Sequence, residues 1–315
     1  MSAVFEKVRR RFAFSRNEFY LYVQTAPHRY KTYKIPKRSG KKKRTISQPS
    51  KDLKAIQRFL LAEFLLPKFK FSDHATAYRK GLSICDNVTP HVSNRFLLKM
   101  DFEDFFPSIR SGDFVDYLLR EGVLDNESDA EMMARIFFQY QEGDLRLSIG
   151  SPGSPPISNA LLKHFDDSVA ELIHGKGIAY TRYSDDLSFS TNEKDALFSV
   201  SRDIHRLTEE SQSPHLKINN KKTVFSSTKF NRHITGVTIS NEGKMSLGRQ
   251  TKRSLRTRVF EAKIASPEEL ASLKGYLAYA NQIEPDFICR LRDKYTKQMS
   301  LVDQAFASPR RHTDE

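Results

Sequence analysis

Apolar residues recur along this chain with two different periods, and the changes of period mark its elements. Val4, Val8 and Phe12, then Phe19, Tyr22 and Val23, fall at helical spacing, so residues 1–28 read as short helices. YKTYKI and RTISQP alternate instead, flank Ser39-Gly40, and predict a hairpin. KDLKAIQRFLLAEFLLPKF returns to helical spacing until Pro67 closes it. RFLLKMDF predicts a buried strand, followed by helices over 111–122 and 127–140. GSPGSPPIS then opens a helix through NALLKHFDDSVAELIHG. GIAYTRYSDDLSFST predicts two strands joined at Ser184-Asp185-Asp186. A helix over 193–211 and short strands at LKIN, TVFSS and HITGVTIS come next. Beyond residue 245 the pattern is helical, with SPEEL predicting a capping box between Ser266 and Glu269. The chain thus divides into an α+β part over 1–245, a helical unit over 246–302 and a flexible tail over 303–315.

Composition adds an expected partner. Lys and Arg number 52 against 38 acidic residues, a net charge of +14. Each phosphate that a basic side chain neutralises releases condensed counterions, so a nucleic acid is the natural ligand. The charge is concentrated: RYKTYKIPKRSGKKKR holds nine basic residues and no acid, at the predicted hairpin. RQTKRSLRTRVFEAKI holds six basic residues and one acid at helical spacing. No apolar run approaches the roughly 18 residues of a membrane span, and no cleavable leader follows the basic N-terminus, so a cytoplasmic location is expected. Cys85 and Cys289 lack CxxC partners, which argues against a zinc or disulfide framework.

The carboxylates carry the candidate chemistry. Asp101 ends an apolar strand, where a charge is costly unless hydrated, paired or metal-bound. Asp185 and Asp186 sit in a turn between two half-buried strands, and adjacent carboxylates repel one another until a divalent cation relieves them. Hard oxygen donors without nearby Cys or His suit Mg²⁺ or Mn²⁺. Two such ions, about 4 Å apart, serve phosphoryl transfer by activating the attacking oxygen and stabilising the leaving one.

MDFEDFFPSI, GSPGSP and YSDD, in that order, resemble motifs A, B and C of the reverse transcriptases. IPKRSGKKKRTISQPSKDLKAIQ resembles the fingers of that family, and LKINNKKTVF its motif D. DNVTPHV at 86–92 resembles the NAxxH element of the bacterial retron group, with Val88 in place of Ala, and ITG at 234–236 resembles its VTG element. The resemblance implies an α+β right-hand polymerase: fingers and palm, an antiparallel sheet with helices, then a helical thumb. It implies an RNA-directed DNA polymerase with two Mg²⁺ ions, Mn²⁺ being the alternative. A cognate structured noncoding RNA would be template and primer, with synthesis from a guanosine 2′-OH giving branched RNA–DNA. A role in antiphage defence beside a neighbouring effector protein is implied as well.

Transferred residue by residue, the resemblance makes Asp101, Asp185 and Asp186 the catalytic metal ligands, with the Phe102 carbonyl as a further ligand. Lys37 and Arg44 would grip the incoming dNTP, Phe106 would exclude a 2′-OH, and Gly150, with Gly153, would let backbone approach the substrate. Lys222 would protonate departing pyrophosphate. Lys252, Arg253, Arg256, Arg258, Arg290, Arg292 and Lys294 would grip RNA, with His91 fixing a loop against it. Ile149 departs from the glutamine common at the start of motif B, so that amide contact is absent or supplied elsewhere. The alternatives are another bacterial reverse transcriptase, of diversity-generating or abortive-infection type, and a catalytically silent RNA-binding scaffold.

Overall fold

The computed structural model describes residues 2–36, 43–211 and 213–305. The basic hairpin forms as expected, β1 (Tyr30–Pro36) antiparallel to β2 (Lys43–Pro49), with Ile35 opposite Arg44. Its tip, which includes Lys37, lies outside the described residues. The remaining strands are β3 (Phe96–Asp101), β4 (Gln139–Gln141), β5 (Asp144–Arg146), β6 (Ile178–Tyr183), β7 (Asp186–Thr191), β8 (Val224–Ser227), β9 (Arg232–Ile234), β10 (Val237–Ile239) and β11 (Met245–Ser246). The central antiparallel sheet runs β6-β7-β3-β8, and a smaller one runs β11-β10-β9.

Register decides which face of the central sheet does what. Phe189 lies between Tyr180 and Leu98, and Leu187 faces Met100, so one face is apolar. These residues join the main core with Leu53, Ile56 and Leu60 of the helix Lys51–Leu60 and with Phe114, Phe137 and Phe138. The period of two puts Asp186 beside Asp101, Ser188 beside Lys99 and Ser190 beside Leu97 on the other face. That front face carries the polar rows.

A second core gathers Leu255, Val259, Leu273, Leu277, Phe287 and Leu291 from the C-terminal helices. It also takes in Ile234, Val237 and Ile239, and reaches the central sheet through Leu97 and Val88. The β9–β10 hairpin therefore packs with the helices that follow it. Those helices are Gly248–Phe260, Pro267–Ile283, Pro285–Lys294 and Thr296–Gln304. The Ser266–Glu269 capping box is formed.

Several elements differ from the sequence reading. The helix expected over 127–140 stops at Phe137, because QYQ pairs with DLR across a turn in which Glu142 and Gly143 have positive φ. LKIN forms no strand, and Ile218 makes only an isolated bridge to Phe102. NALLKHFDDSVAELIHG divides between the helices Ser154–Leu161 and Lys163–Ile173, and the last basic helix breaks at Tyr295.

Candidate active site

The three carboxylates meet at one end of the front face. Asp101 and Asp186 are register partners on β3 and β7. Tyr183 pairs with Asp186, so Ser184 and Asp185 form a two-residue turn. Ser184 has φ +62°, a left-handed conformation that a small polar side chain tolerates better than a bulky one. The Phe102 amide donates to the Asp185 carbonyl at 3.1 Å, stitching the turn to the residue after Asp101.

Their protons report the crowding. Asp186 remains open to solvent but is ringed by protein in its cleft. Desolvation, then the charges of Asp185 and Asp101 and a hydrogen bond with Asp101, push its carboxyl up to about 7. Desolvation and the Asp101 charge also raise Asp185, against the opposing pull of Lys222 and Arg44. Arg44 is thus near enough to Asp185 for its charge to be felt.

Lys222 is the cation this group already holds. Its Nζ donates to Asp101 Oδ2 at 2.7 Å, from the single turn Asn220–Lys222. Desolvation alone would lower the lysine, but the bond to Asp101 and the three carboxylate charges outweigh it and hold it raised. The 217–222 segment is anchored to the same strand end: Asn219 N donates to Asp101 O at 2.7 Å, and Glu103 N to Lys217 O at 2.8 Å. That pairing leaves the Phe102 carbonyl outside it. As the side chains stand, no group of three or more His, Cys, Asp and Glu among the described residues is arranged to hold a metal ion. Lys222 on Asp101 and the Asp186–Asp101 bond occupy the oxygens that would have to turn inward. The donors nevertheless fit a hard divalent ion: all are carboxylates, and their mutual repulsion is what such a charge relieves.

A family model described as reverse transcriptase (RNA-dependent DNA polymerase) matches residues 35–239. Retron Ec83 reverse transcriptase of Escherichia coli is 39% identical over 84% of this chain and 86% of its own length. Retron Ec86 reverse transcriptase of the same species is 30% identical over 88% of this chain and 86% of its own. Retron Mx65 reverse transcriptase of Myxococcus xanthus is 33% identical over 83% of this chain and 63% of its own. The chain belongs to the retron-type reverse transcriptases. It is an RNA-directed DNA polymerase with the right-hand α+β fold, its partners include a nucleic-acid template, and its family works with divalent metal ions.

In this reverse transcriptase the two retron elements touch. Asn87 Nδ2 donates to Thr235 Oγ1 at 3.3 Å, and Thr76 Oγ1 donates to Asn87 Oδ1 at 3.0 Å. His91 requires a correction. The ring is 1% exposed, with Nδ1 2.7 Å from Ser190 Oγ and Nε2 2.8 Å from Thr181 Oγ1. Burial lowers it to about 4, so it is neutral and clamps the element onto β6 and β7. It has no surface with which to touch RNA.

The motif B glycines make close approaches within the chain itself. A Cβ on Gly153 would lie 2.3 Å from the Phe137 ring, and one on Gly150, at φ +121°, would lie 3.0 Å from the Ser47 carbonyl. Both are close approaches to the chain's own fingers and palm. Ile149 uses its carbonyl there, accepting from Ser47 N at 2.8 Å. Phe105 is buried and stacks on Phe102, whereas Phe106 is half-buried at the rim.

Two of the thumb cations are paired with carboxylates of the same chain. Lys252 binds Glu284 at 3.0 Å, and Arg292 binds Asp303 at 2.6 Å. Arg256 lies over Phe287 and Lys294 over Tyr295, while Arg258 lies over Tyr276. Arg253, Arg256, Arg290 and Lys294 are exposed.

Sequence reasoning missed Arg182. It is fully buried, with Nε and Nη2 bonded to Asp166 at 2.8 and 2.7 Å, and Nη1 donating to Asn159 and to the Ser184 carbonyl at 3.1 Å. It props the catalytic turn from below. The available signal was a lone arginine at an inward position of an apolar strand, which demands a buried partner.

Proposed function

We propose that this reverse transcriptase copies a cognate structured noncoding RNA into DNA, beginning from the 2′-OH of a guanosine in that RNA and leaving a branched RNA–DNA product. The observation that carries the catalytic part of this reading is the meeting of Asp101, Asp185 and Asp186 beneath Lys222 and within the field of Arg44. The hydroxyl oxygen attacks the α-phosphorus of a dNTP, the bond to the bridging oxygen breaks, and pyrophosphate departs. Two Mg²⁺ ions, with Mn²⁺ as the alternative, are the proposed cofactors. When held by Asp101, Asp185, Asp186 and the Phe102 carbonyl, they supply Lewis-acid activation of the hydroxyl and neutralise the leaving group.

The chain's own residues do the remainder. Lys37 and Arg44 grip the triphosphate, Arg44 through a bidentate fork. Phe106 sits beneath the sugar and excludes a 2′-OH. Lys222 leaves Asp101 and hands its proton to pyrophosphate. Arg253, Arg256, Arg258, Arg290 and Lys294 hold an RNA stem by its backbone. The expected setting is antiphage defence, together with an effector protein encoded nearby.

The experiment is to express the chain with its flanking DNA and recover small single-stranded DNA. The reading expects DNA joined to RNA by a 2′,5′ bond, released by debranching enzyme and lost in Asp185→Asn. Linear DNA alone, unaffected by debranching, would overturn the priming part while leaving polymerase activity standing.

A further inference from the structure

A cleft of about 400 Å³ opens beside the catalytic carboxylates, lined by Lys99, Asp101, Asp186, Ser188, Lys221, Lys222, Val224 and Thr235 among others. Its walls come from the front face of the palm sheet, the 221–224 segment and the β9–β10 turn. The β1–β2 fingers hairpin contributes none of its described residues. Lys99 stands one row behind Asp101 on β3, beside Ser188. Unlike Lys222, it does not spend its hydrogen bond on a carboxylate: Nζ lies 3.1 Å from His233 Nε2. An ammonium has no acceptor, so Lys99 donates and the imidazole accepts. His233 belongs to β9, opposite Thr238 on β10, and thus couples the palm strand to the hairpin that packs with the thumb. Thr235 at the tip of that hairpin has φ +47°, an uncommon conformation for a β-branched residue, and Asn87 ties it down.

We infer that Lys99 is the phosphate ligand for the terminal nucleotide of the growing strand, and that His233 is its positioning residue. Two strand residues span about 7 Å, roughly the reach from a nucleotide's terminal hydroxyl to its own phosphate. A hydroxyl at the Asp101 row therefore brings its phosphate to the Lys99 row. Arg44, the cation felt by Asp185, belongs to the fingers, so the triphosphate and the strand end approach from different walls. Ser188, Lys221 and Thr235 supply further donors around the same space. Thr235, held in its strained turn, limits how far the sugar can shift.

The inference rests on the polymerase reading but not on branched priming, and its test uses neither turnover nor the cognate RNA. A fluorescent DNA primer annealed to an RNA template is titrated with the protein in Mg²⁺ without dNTP, over a range of salt concentrations. Lys99→Met should weaken binding by about tenfold, the value of one charge-assisted hydrogen bond, and flatten the slope of log K against log salt by about one. Lys99→Arg should restore the slope. His233→Phe should weaken binding in part while leaving the slope near the wild-type value, because the charge remains. In single-turnover extension the dNTP concentration at half-maximal rate should not move in Lys99→Met. Two results would overturn the assignment: an unchanged slope with only a lowered melting temperature, marking Lys99 as a structural latch, or a shift confined to the dNTP dependence. Absent extension by wild type with the predicted binding change would instead count against the catalytic reading alone.

Discussion

Asp186 and His91 lie against the same face of the palm sheet, and desolvation moves their protons in opposite directions. The Asp186 carboxyl is raised to about 7, so the metal-free folded chain keeps a proton that the unfolded chain releases. The stability this contributes is present at low pH and is lost as pH rises from the ordinary carboxylate range through about 7. His91 is lowered to about 4, so the unfolded chain takes up a proton first, and stability is lost as pH falls below the ordinary histidine value. Melting curves in EDTA should therefore show Asp186→Asn gaining on wild type as pH goes from 5 to 8. His91→Gln should show its smallest disadvantage at the acid end. Differences that do not change with pH would contradict both assignments. Lys222→Gln tests a third residue. Removing the proton donor should lower the rate of the chemical step by about 100-fold, within the usual range for general acid catalysis, with little change in dNTP affinity. A change in affinity alone would reduce Lys222 to a binding residue.

At the level of elements, the catalytic turn stands on a buried prop. Arg182→Met leaves the buried Asp166 charge with only the Tyr180 hydroxyl, which should cost about 3–5 kcal/mol. Pairing it with Asp166→Leu should recover part of that stability, because the unpaired charge goes while the buried Tyr180 hydroxyl loses its acceptor. Single-turnover extension should stay depressed in the double variant, since the Ser184 carbonyl has lost its donor. Recovery of both stability and rate would show that Arg182 has no hold on the turn. The bend into motif B makes a second test. Gly153→Ala drives a methyl group into the Phe137 ring and should cost about 1–3 kcal/mol by denaturant titration. What the chain's periodicity made legible follows the same logic. The β3 strand and the β6–β7 hairpin were readable because alternation and a two-residue acidic turn specify them locally. The β4–β5 hairpin was not, because QYQ continues the helical pattern of 127–137 and only Glu142-Gly143 interrupts it. LKIN reads as a strand by composition, yet its backbone is committed to Asp101 and Glu103.

Across the whole molecule, two cores meet at the palm sheet, the main one on its apolar face and the second on its front face, reached through Leu97 and Val88. This is why the thumb-side hairpin ends beside the catalytic row, and why Asn87 and Thr235, far apart in sequence, touch. That contact could not be read from either motif alone. Nor could the fate of the basic residues: composition announces a polyanion but cannot say that Lys252 and Arg292 are taken by Glu284 and Asp303. The three carboxylates were readable because their chemistry is carried by residue type and order.

Single-turnover extension of a DNA primer on an RNA template, in Mg²⁺ with saturating dNTP, tests the catalytic trio most directly. Wild type should add nucleotides. Asp185→Asn, folded and binding the primer–template normally, should be slower by about three orders of magnitude, since several kcal/mol of charge stabilisation is removed. Extension by Asp185→Asn at the wild-type rate would contradict the account.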